Sequence, residues 1–173
     1  MTRKILLISL VISLVGLISC QDKPQTNPLS TEELIALNKE RHVAEMTWIR
    51  DYIVSLKIPM QEGTTGFFYQ LIEHGEKTLI TAGDKVDIDF HIYHLTNPPF
   101  TKEITHEKKT INVDNDNTEA GIHQALRLMS TGDSAIFIMP SHLAFGLTGN
   151  HMINPNTPLL YTIRVMSDAK SIE

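Results

Sequence analysis

The chain has 173 residues, of which 42% are hydrophobic, and its formal net charge is -5. This composition is typical of globular proteins and excludes disorder throughout. The length allows one domain with a real core plus an appended segment, but not two large domains. Because the charge is acidic and no run rich in lysine and arginine occurs, nucleic acid is not an expected partner.

The first twenty residues have the pattern of an export signal. Arg3 and Lys4 supply a positive start, and residues 5–18 form an apolar stretch broken only by serines and a glycine. This stretch is shorter than the ~20 apolar residues that cross a bilayer. The pattern therefore favours a cleaved signal, with an uncleaved membrane helix as the second interpretation.

The only cysteine, Cys20, ends the run LISC at residues 17–20, which resembles the bacterial lipobox. In lipoproteins that carry this motif the cysteine is acylated and the residues before it are removed. The resemblance therefore implies a signal peptide over residues 1–19 and a lipid anchor at Cys20. Several acyl chains give lasting attachment, since each buried methylene contributes ~0.8 kcal/mol and one chain is marginal. The alternative is an ordinary secretory signal with an accidental cysteine.

The residue after the cysteine is Gln21 rather than aspartate, which under the usual sorting pattern favours the outer membrane. We therefore expect a lipid-anchored protein of the cell envelope, in the outer membrane and facing the periplasm. Exposure on the outer surface is the alternative, because the sorting pattern differs between phyla.

A polar tether at residues 20–30, with two prolines, is expected to lead into a long helix. Ser30 and Glu33 form a capping box, in which each side chain accepts a hydrogen bond from the other's backbone N–H. Apolar spacing predicts a helix from Thr31 to about Leu56, in a helical segment of residues 31–58. The predicted apolar residues of the helix are Leu34, Leu37, Ala44, Trp48, Tyr52 and Leu56, with Met46, Ile49 and Ile53 alongside.

A helix of this length must bury its apolar side against another surface. Packing on its own domain is the favoured interpretation, and a homodimer contact through the N-terminal helix is the alternative.

From residue 59 to residue 173 the pattern changes to short segments divided by turns. Strand content or alternation occurs at residues 66–72, 86–92, 111–113, 135–139 and 159–166. A polar loop at residues 114–117 can cap a helix predicted over residues 118–129. The sum is an α+β domain, an antiparallel sheet with one short helix packed on it.

An ordered set of motifs in the last third of the chain resembles the FKBP family of peptidyl-prolyl cis-trans isomerases. In chain order the matching segments are residues 121–129 (GIHQALRLM), 132–133 (GD), 137–141 (FIMPS), 143–146 (LAFG), Gly149, Ile153, 155–156, 158–159 and 159–163 (LLYTI). Residues 66–113 fit more loosely. The resemblance implies an FKBP-like curved antiparallel sheet with one short helix packed on it, here preceded by a long N-terminal helix. With the lipobox in front, the whole resembles the gliding-motility-associated isomerase lipoproteins of Bacteroidota.

Prolyl isomerisation needs no nucleophile, metal or acid–base pair. Its barrier of ~18–20 kcal/mol is the amide resonance lost as the C–N bond twists. A catalyst can bind the twisted amide in a dry pocket and donate a hydrogen bond to its carbonyl oxygen. We therefore expect an apolar cup, with no cofactor and no metal.

Carried over from the family, this cup is formed by Phe90, Ile111, Ile122, Phe145, Ile153 and Tyr161. The backbone N–H of Glu119 would donate to the substrate. Taken singly, each aromatic residue is more often a core residue, but the ordered set favours a pocket.

Three departures from the family pattern bear on activity. Ile122 stands for the pocket-floor tryptophan and Phe145 for a tyrosine, and the pocket aspartate has no clear counterpart near Glu103 or Thr105. Two functions stay open: an isomerase of weak activity that assists the folding of exported proteins, or a non-catalytic binding module or holdase. Either would bind proline-containing polypeptide clients.

The eight histidines do not predict a metal site. His91 and His94 are three apart on a predicted strand, so they point to opposite faces and make a poor ligand pair. His142 and His151 flank the loop of the expected cup and are candidates for contact with substrate.

Overall fold

The structure is a computed structural model that describes residues 29–75, 78–95 and 102–168. The predicted export signal, Cys20 and residues 20–28 of the predicted tether lie outside the described residues. No helix in the described part is both long and apolar enough to cross a membrane. The chain divides into two compact units, residues 1–38 and 39–173.

One antiparallel sheet organises the second unit, with its strands in the order β1-β2-β5-β6-β3-β4. The predicted α+β fold is confirmed: a curved antiparallel sheet, one short helix and a long N-terminal helix. In chain order the elements are α1 (Thr31–Leu56), β1 (Gln61–Glu62), β2 (Phe68–Glu73), β3 (Lys85–His94), β4 (Glu103–Asn112), α2 (Ala120–Leu126), β5 (Ser134–Met139), a 3₁₀ turn (Ser141–Leu143) and β6 (Leu159–Asp168).

Helix α1 begins and ends where the sequence predicts. The Ser30 N–H donates to Glu33 Oε2 over 2.8 Å, and the Glu33 N–H donates to Ser30 Oγ over 3.2 Å, which confirms the capping box. At the other end Lys57 takes a φ of 55°, a left-handed conformation that stops the helix before Pro59.

The central strands bury both of their faces. Because successive side chains of a strand point to opposite sides, Phe137 and Met139 join the main core, whereas Ile138 packs against α1. The main core also contains Ile122, Ala125 and Leu126 of α2. Helix α2 therefore covers one face of the sheet, and the part of α1 in the second unit covers the other.

Only part of the predicted apolar side of α1 is buried. Met46, Ile49 and Tyr52 are the buried residues of the helix, and they pack against Phe68 and Ile138 of the sheet. Trp48 is instead 45% exposed and stacks on Tyr52 with ring centroids 5.5 Å apart. An indole tolerates this half-exposed position because its N–H can reach water. Packing on its own domain is thus observed for this part of the helix.

Helix α2 is shorter than the predicted 118–129. Glu119 has an extended backbone, with ψ 134°, and its side chain makes no capping hydrogen bond. At the other end Leu128 and Met129 donate to carbonyls three residues back, those of Ala125 and Leu126, so the helix closes in a tight turn.

Strand β4 is much longer than the predicted 111–113. It pairs along β3 from Tyr93↔Glu103 to Lys85↔Asn112. As an edge strand its residues are mostly exposed, and four of the ten are charged, so they lack the apolar alternation by which strands are found in a sequence.

Asp133 is a buried carboxylate that closes the turn after α2. Its two oxygens accept from the backbone N–H groups of Gly75, at 2.6 Å, and Ser130, at 2.7 Å. Because Asp133 is only 5% exposed, these two N–H groups take the place of the water molecules that would solvate an exposed carboxylate. The bond to Gly75 also links two segments that are 58 residues apart in the chain.

We expect Asp133→Ala to lower the free energy of unfolding by about 2–3 kcal/mol, because the buried Ser130 N–H loses its acceptor and a second charged hydrogen bond is lost. Urea denaturation measures this change. The control is Asp84→Ala, since the exposed Asp84 also accepts two hydrogen bonds, from the N–H and the hydroxyl of Thr81, both at Oδ2. An equal loss in both variants would contradict the role given to burial.

Candidate functional site

A cavity of about 380 Å³ lies between strands β3 and β4, the segment before α2 and the loop that joins β5 to β6. Its lining combines aliphatic and aromatic side chains with polar and charged ones. The lining residues are Phe90, Ile92, Ile104, Thr105, Glu107, Lys109, Asn117, Thr118, Glu119, Phe145, Asn150, His151, Met152 and Ile153.

Four of the seven predicted site residues line this cavity: Phe90, Glu119, Phe145 and Ile153. The other three, Ile111, Ile122 and Tyr161, have no exposed surface and belong to the same core cluster as Phe90 and Ile153. Their expected contact with substrate stays a prediction.

The loop that carries Phe145 and Ile153 is held by hydrogen bonds within itself. The Gly149 N–H donates to the Phe145 carbonyl over 3.1 Å, and Asn150 Oδ1 accepts from the N–H groups of Met152 and Ile153, both at 2.8 Å. Gly149 has a φ of 61°, and a β-carbon there would collide with the Ile153 carbonyl. The turn therefore requires glycine, and it sets the two apolar walls at a fixed spacing.

Glu119 lines the same cavity and has a free backbone donor. Its φ is -59° and its ψ 134°, and within the described residues its N–H donates to no acceptor. Its carboxylate accepts from the Thr118 hydroxyl over 2.8 Å. A substrate carbonyl can therefore accept a hydrogen bond from this N–H without displacing an acceptor in the described part of the chain.

His123 anchors the segment before Glu119 and was not singled out by the sequence. The ring is buried, its Nδ1 accepts from the Asp114 N–H at 3.0 Å, and its Nε2 lies 3.0 Å from the Asp116 carbonyl. Since a carbonyl only accepts, Nε2 carries the proton and Nδ1 the lone pair. The neutral ring thus holds the loop that leads to the cavity.

The hydroxyl of Tyr161 is buried, and no group in the described part of the chain hydrogen-bonds to it. Burial raises the pKa of this hydroxyl well above its ordinary value, and the nearby negative charge of Glu119 raises it further. It is therefore a neutral donor without a protein acceptor.

The structure also adds residues that the sequence did not indicate. Ile92 continues the alternation of β3 and could have been found by it, whereas Ile104 and Lys109 lie on β4, whose length was missed. Glu107 and Lys109 make the cavity less apolar than expected. Thr105 lines it as well, while Glu103 does not.

Of the two histidines expected near substrate, only one lies at the cavity. His151 lines the cavity, but His142 lies beside His42 of α1, with ring centroids 5.1 Å apart. Although the His142 side chain is exposed by its surface area, partial desolvation by neighbouring groups lowers its pKa, and the neighbouring His42 lowers it further, against the opposing effect of Glu45.

The model of the FKBP-type peptidyl-prolyl cis-trans isomerase family matches residues 76–166, more than half of the chain. The chain belongs to this family. The match includes all seven predicted site residues of this FKBP-type protein and the whole loop from β5 to β6.

Solved structures share this FKBP fold. A peptidyl-prolyl cis-trans isomerase from Pseudomonas syringae matches at TM-score 0.60 and 21% identity, over 77% of this chain and 96% of its own. FkpA from Escherichia coli matches at TM-score 0.61 and 19% identity, over 95% and 81% of the two chains. The N-terminal domain of FKBP42 from Arabidopsis thaliana matches at TM-score 0.57 and 16% identity, over 66% and 96%. At these identities the likeness shows the fold alone. No curated protein sequence matches the chain significantly.

We expect Tyr161→Phe to raise the free energy of unfolding, by about 1–3 kcal/mol, because it removes a buried hydroxyl that has no partner. Thermal and urea unfolding measure this. Tyr69→Phe is the matched control, since the exposed Tyr69 hydroxyl donates to Gln61 Oε1 over 3.0 Å and its loss should lower stability slightly. A destabilised Tyr161→Phe would instead mean that a buried water satisfies the hydroxyl.

Proposed function

We propose that the protein is a peptidyl-prolyl cis-trans isomerase that assists the folding of exported polypeptides in the bacterial envelope. The observation that carries this proposal is the cavity lined by Phe90, Phe145, Ile153 and Glu119, because the backbone N–H of Glu119 has no hydrogen-bond acceptor in the described part of the chain. Family membership supports it, because the matched region contains each of these residues.

The chemistry needs only such a cavity. In water the planar amide is stabilised by solvation of its polar resonance form, so isomerisation of a free Xaa-Pro bond takes tens to hundreds of seconds. A proline ring placed among apolar side chains leaves its amide poorly solvated, which favours the twisted, less polar state. A hydrogen bond from Glu119 that is stronger in the twisted state than in the planar one lowers the barrier further.

A second function, binding without isomerisation, is favoured by one observation. Phe145 has no hydroxyl at the cavity wall, and charged Glu107 and Lys109 share the lining. Such a cavity could hold a proline-containing client and protect it from aggregation. Suppression of client aggregation by a folded protein that does not accelerate isomerisation would favour this function.

The position in the envelope rests on the sequence. Acylation at Cys20 would tether the folded domain through residues 20–30, within reach of newly exported chains. The order of lipobox, N-terminal helix and FKBP domain supports the finer proposal of a gliding-motility-associated isomerase lipoprotein. A homodimer through α1 stays a prediction; Val43, Trp48 and Val54 are exposed apolar residues that it would cover.

The sharpest test of the isomerase removes the Glu119 N–H. Glu119 already has a φ of -59°, which proline adopts without strain, so Glu119→Pro deletes the donor and keeps the backbone. We expect kcat/KM for an Xaa-Pro test peptide to fall roughly two- to tenfold, the worth of one neutral hydrogen bond. Glu119→Ala is the control, because it deletes the carboxylate and keeps the N–H.

One control variant and two contrary outcomes complete this test. Leu147→Ala alters an exposed side chain of the same loop that does not line the cavity, and its rate should match that of the unaltered protein. Equal rates for Glu119→Pro and Glu119→Ala would exclude the backbone donor. No acceleration by the folded, unaltered protein would exclude the isomerase itself.

The anchor is tested by Cys20→Ser expressed in a bacterium with a lipoprotein pathway. We expect the unaltered protein to take up labelled fatty acid and to fractionate with membranes, and the variant to lose both properties, because serine offers no thiol to the acylating enzyme. Soluble, unlabelled protein from the unaltered gene would contradict the lipobox assignment.

A further inference from the structure

His42, Glu45 and His142 form a cluster of metal-ligand side chains outside the cavity. His42 and Glu45 are three residues apart on α1, so they share a face of the helix, and the 3₁₀ turn after β5 brings His142 to that face. One ligand atom from each lies within 4.8 Å of the other two. Donors around a tetrahedral zinc ion with bonds of about 2.0–2.1 Å are about 3.3 Å apart. A closure of about 1.5 Å by side-chain rotation would therefore suffice.

The carboxylate of Glu45 is already oriented by buried Ser141. Its Oε1 accepts from the Ser141 N–H over 2.7 Å, and its Oε2 accepts from the Ser141 hydroxyl over 3.0 Å. Each oxygen keeps a second lone pair. Hydrogen bonds of this kind are the usual support of a ligating carboxylate.

The imidazole of His142 is oriented in a similar way. Its ring donates a hydrogen bond to the backbone of Thr65. In the neutral ring one nitrogen carries that proton and the other offers a lone pair. A histidine that ligates a metal typically donates its second nitrogen to such a backbone group.

A second cluster, Asp89, His91 and His106, is a poorer site although its atoms are equally close. The rings of His91 and His106 stack in parallel, 4.0 Å apart and 4° from coplanar orientation, so their in-plane lone pairs run side by side and do not converge. The ammonium of Lys108 also lies 3.4 Å from Asp89. The rings of His42 and His142, at 77° to each other, carry neither obstacle.

We propose that His42, Glu45 and His142 bind a divalent transition-metal cation, with Zn²⁺ as the expected occupant. Two imidazoles and one carboxylate are ligands of intermediate softness, and such a set suits zinc. Water would take the fourth coordination position. The proposal is independent of isomerase activity. It departs from the expectation of no metal site, because helix spacing alone could not show that residue 142 returns to α1.

A bound ion would stiffen one wall of the cavity. It would join α1 to the turn that leads into Phe145, three residues after His142, where the Gly146 N–H donates to the Ser141 carbonyl over 2.8 Å. Zinc should therefore stabilise the fold and restrict this turn, since an ion that binds only the folded state raises its stability.

The test measures zinc binding by the tag-free full chain, by competition with a chromophoric chelator and by thermal unfolding with and without Zn²⁺. We expect one equivalent to bind and the unfolding temperature to rise. His42→Ala and His142→Ala should each weaken binding by more than the roughly 10–100-fold that loss of a second-shell partner costs. Both side chains are exposed, so the fold should survive, and circular dichroism checks this.

Two controls make the result decisive. Glu45→Gln keeps an acceptor for Ser141 but removes the charge, and should weaken binding without a large change in stability in the absence of metal. His106→Ala alters the other cluster and should bind zinc as the unaltered protein does. The proposal is overturned if the unaltered chain binds no zinc, if binding survives loss of both His42 and His142, or if it is lost in His106→Ala.

Discussion

The continuous burial of residues 137–139 on β5 is the constraint on which the rest of the structure depends. Their side chains alternate between the two faces of the sheet, and all three are fully buried, so each face must be covered by a helix. Helix α2 covers the face of Phe137 and Met139, and α1 that of Ile138. Burying three large apolar side chains contributes about 1.5–3 kcal/mol each. Pro140 then ends the strand, and the chain turns into the segment that carries both the cavity wall and His142.

The sheet itself provides only part of the cavity wall, and the rest lies on segments that the sheet holds in place. Phe90 and Ile92 stand on β3, whereas Phe145 and Ile153 belong to a loop that satisfies its own backbone groups. A loop that closes on itself can hold functional side chains rigidly without regular structure. The neutral ring of His123 gives the segment before Glu119 the same rigidity from the opposite side. Preorganised walls are what a catalyst that acts by desolvation and one hydrogen bond requires.

The distribution of hydroxyl groups separates this protein from the expectation for its family. Phe145 lacks the hydroxyl expected at the cavity wall, while Tyr161 has one that is buried in the core without a protein partner. An unsatisfied buried hydroxyl is destabilising, so its presence needs a physical reason. The negative charge of Glu119 adds to the effect of burial and raises the pKa of this hydroxyl, which keeps it neutral.

Local and ordered signals in the sequence determined helix α1 with its capping box, four of the longer strands, the family and five of the cavity residues, His151 among them. These depend on hydrogen bonds between near neighbours and on periodicity, which a sequence displays directly. The export signal and the anchor at Cys20 stay predictions. Only the tertiary structure decided the length of β4, which of the predicted apolar residues of α1 are buried, the full burial of Ile111, Ile122 and Tyr161, and the approach of His142 to His42. Each of these depends on which segments meet in space, as Glu45 and Ser141 do across 96 residues. Such meetings are set by sheet topology, which local spacing does not encode.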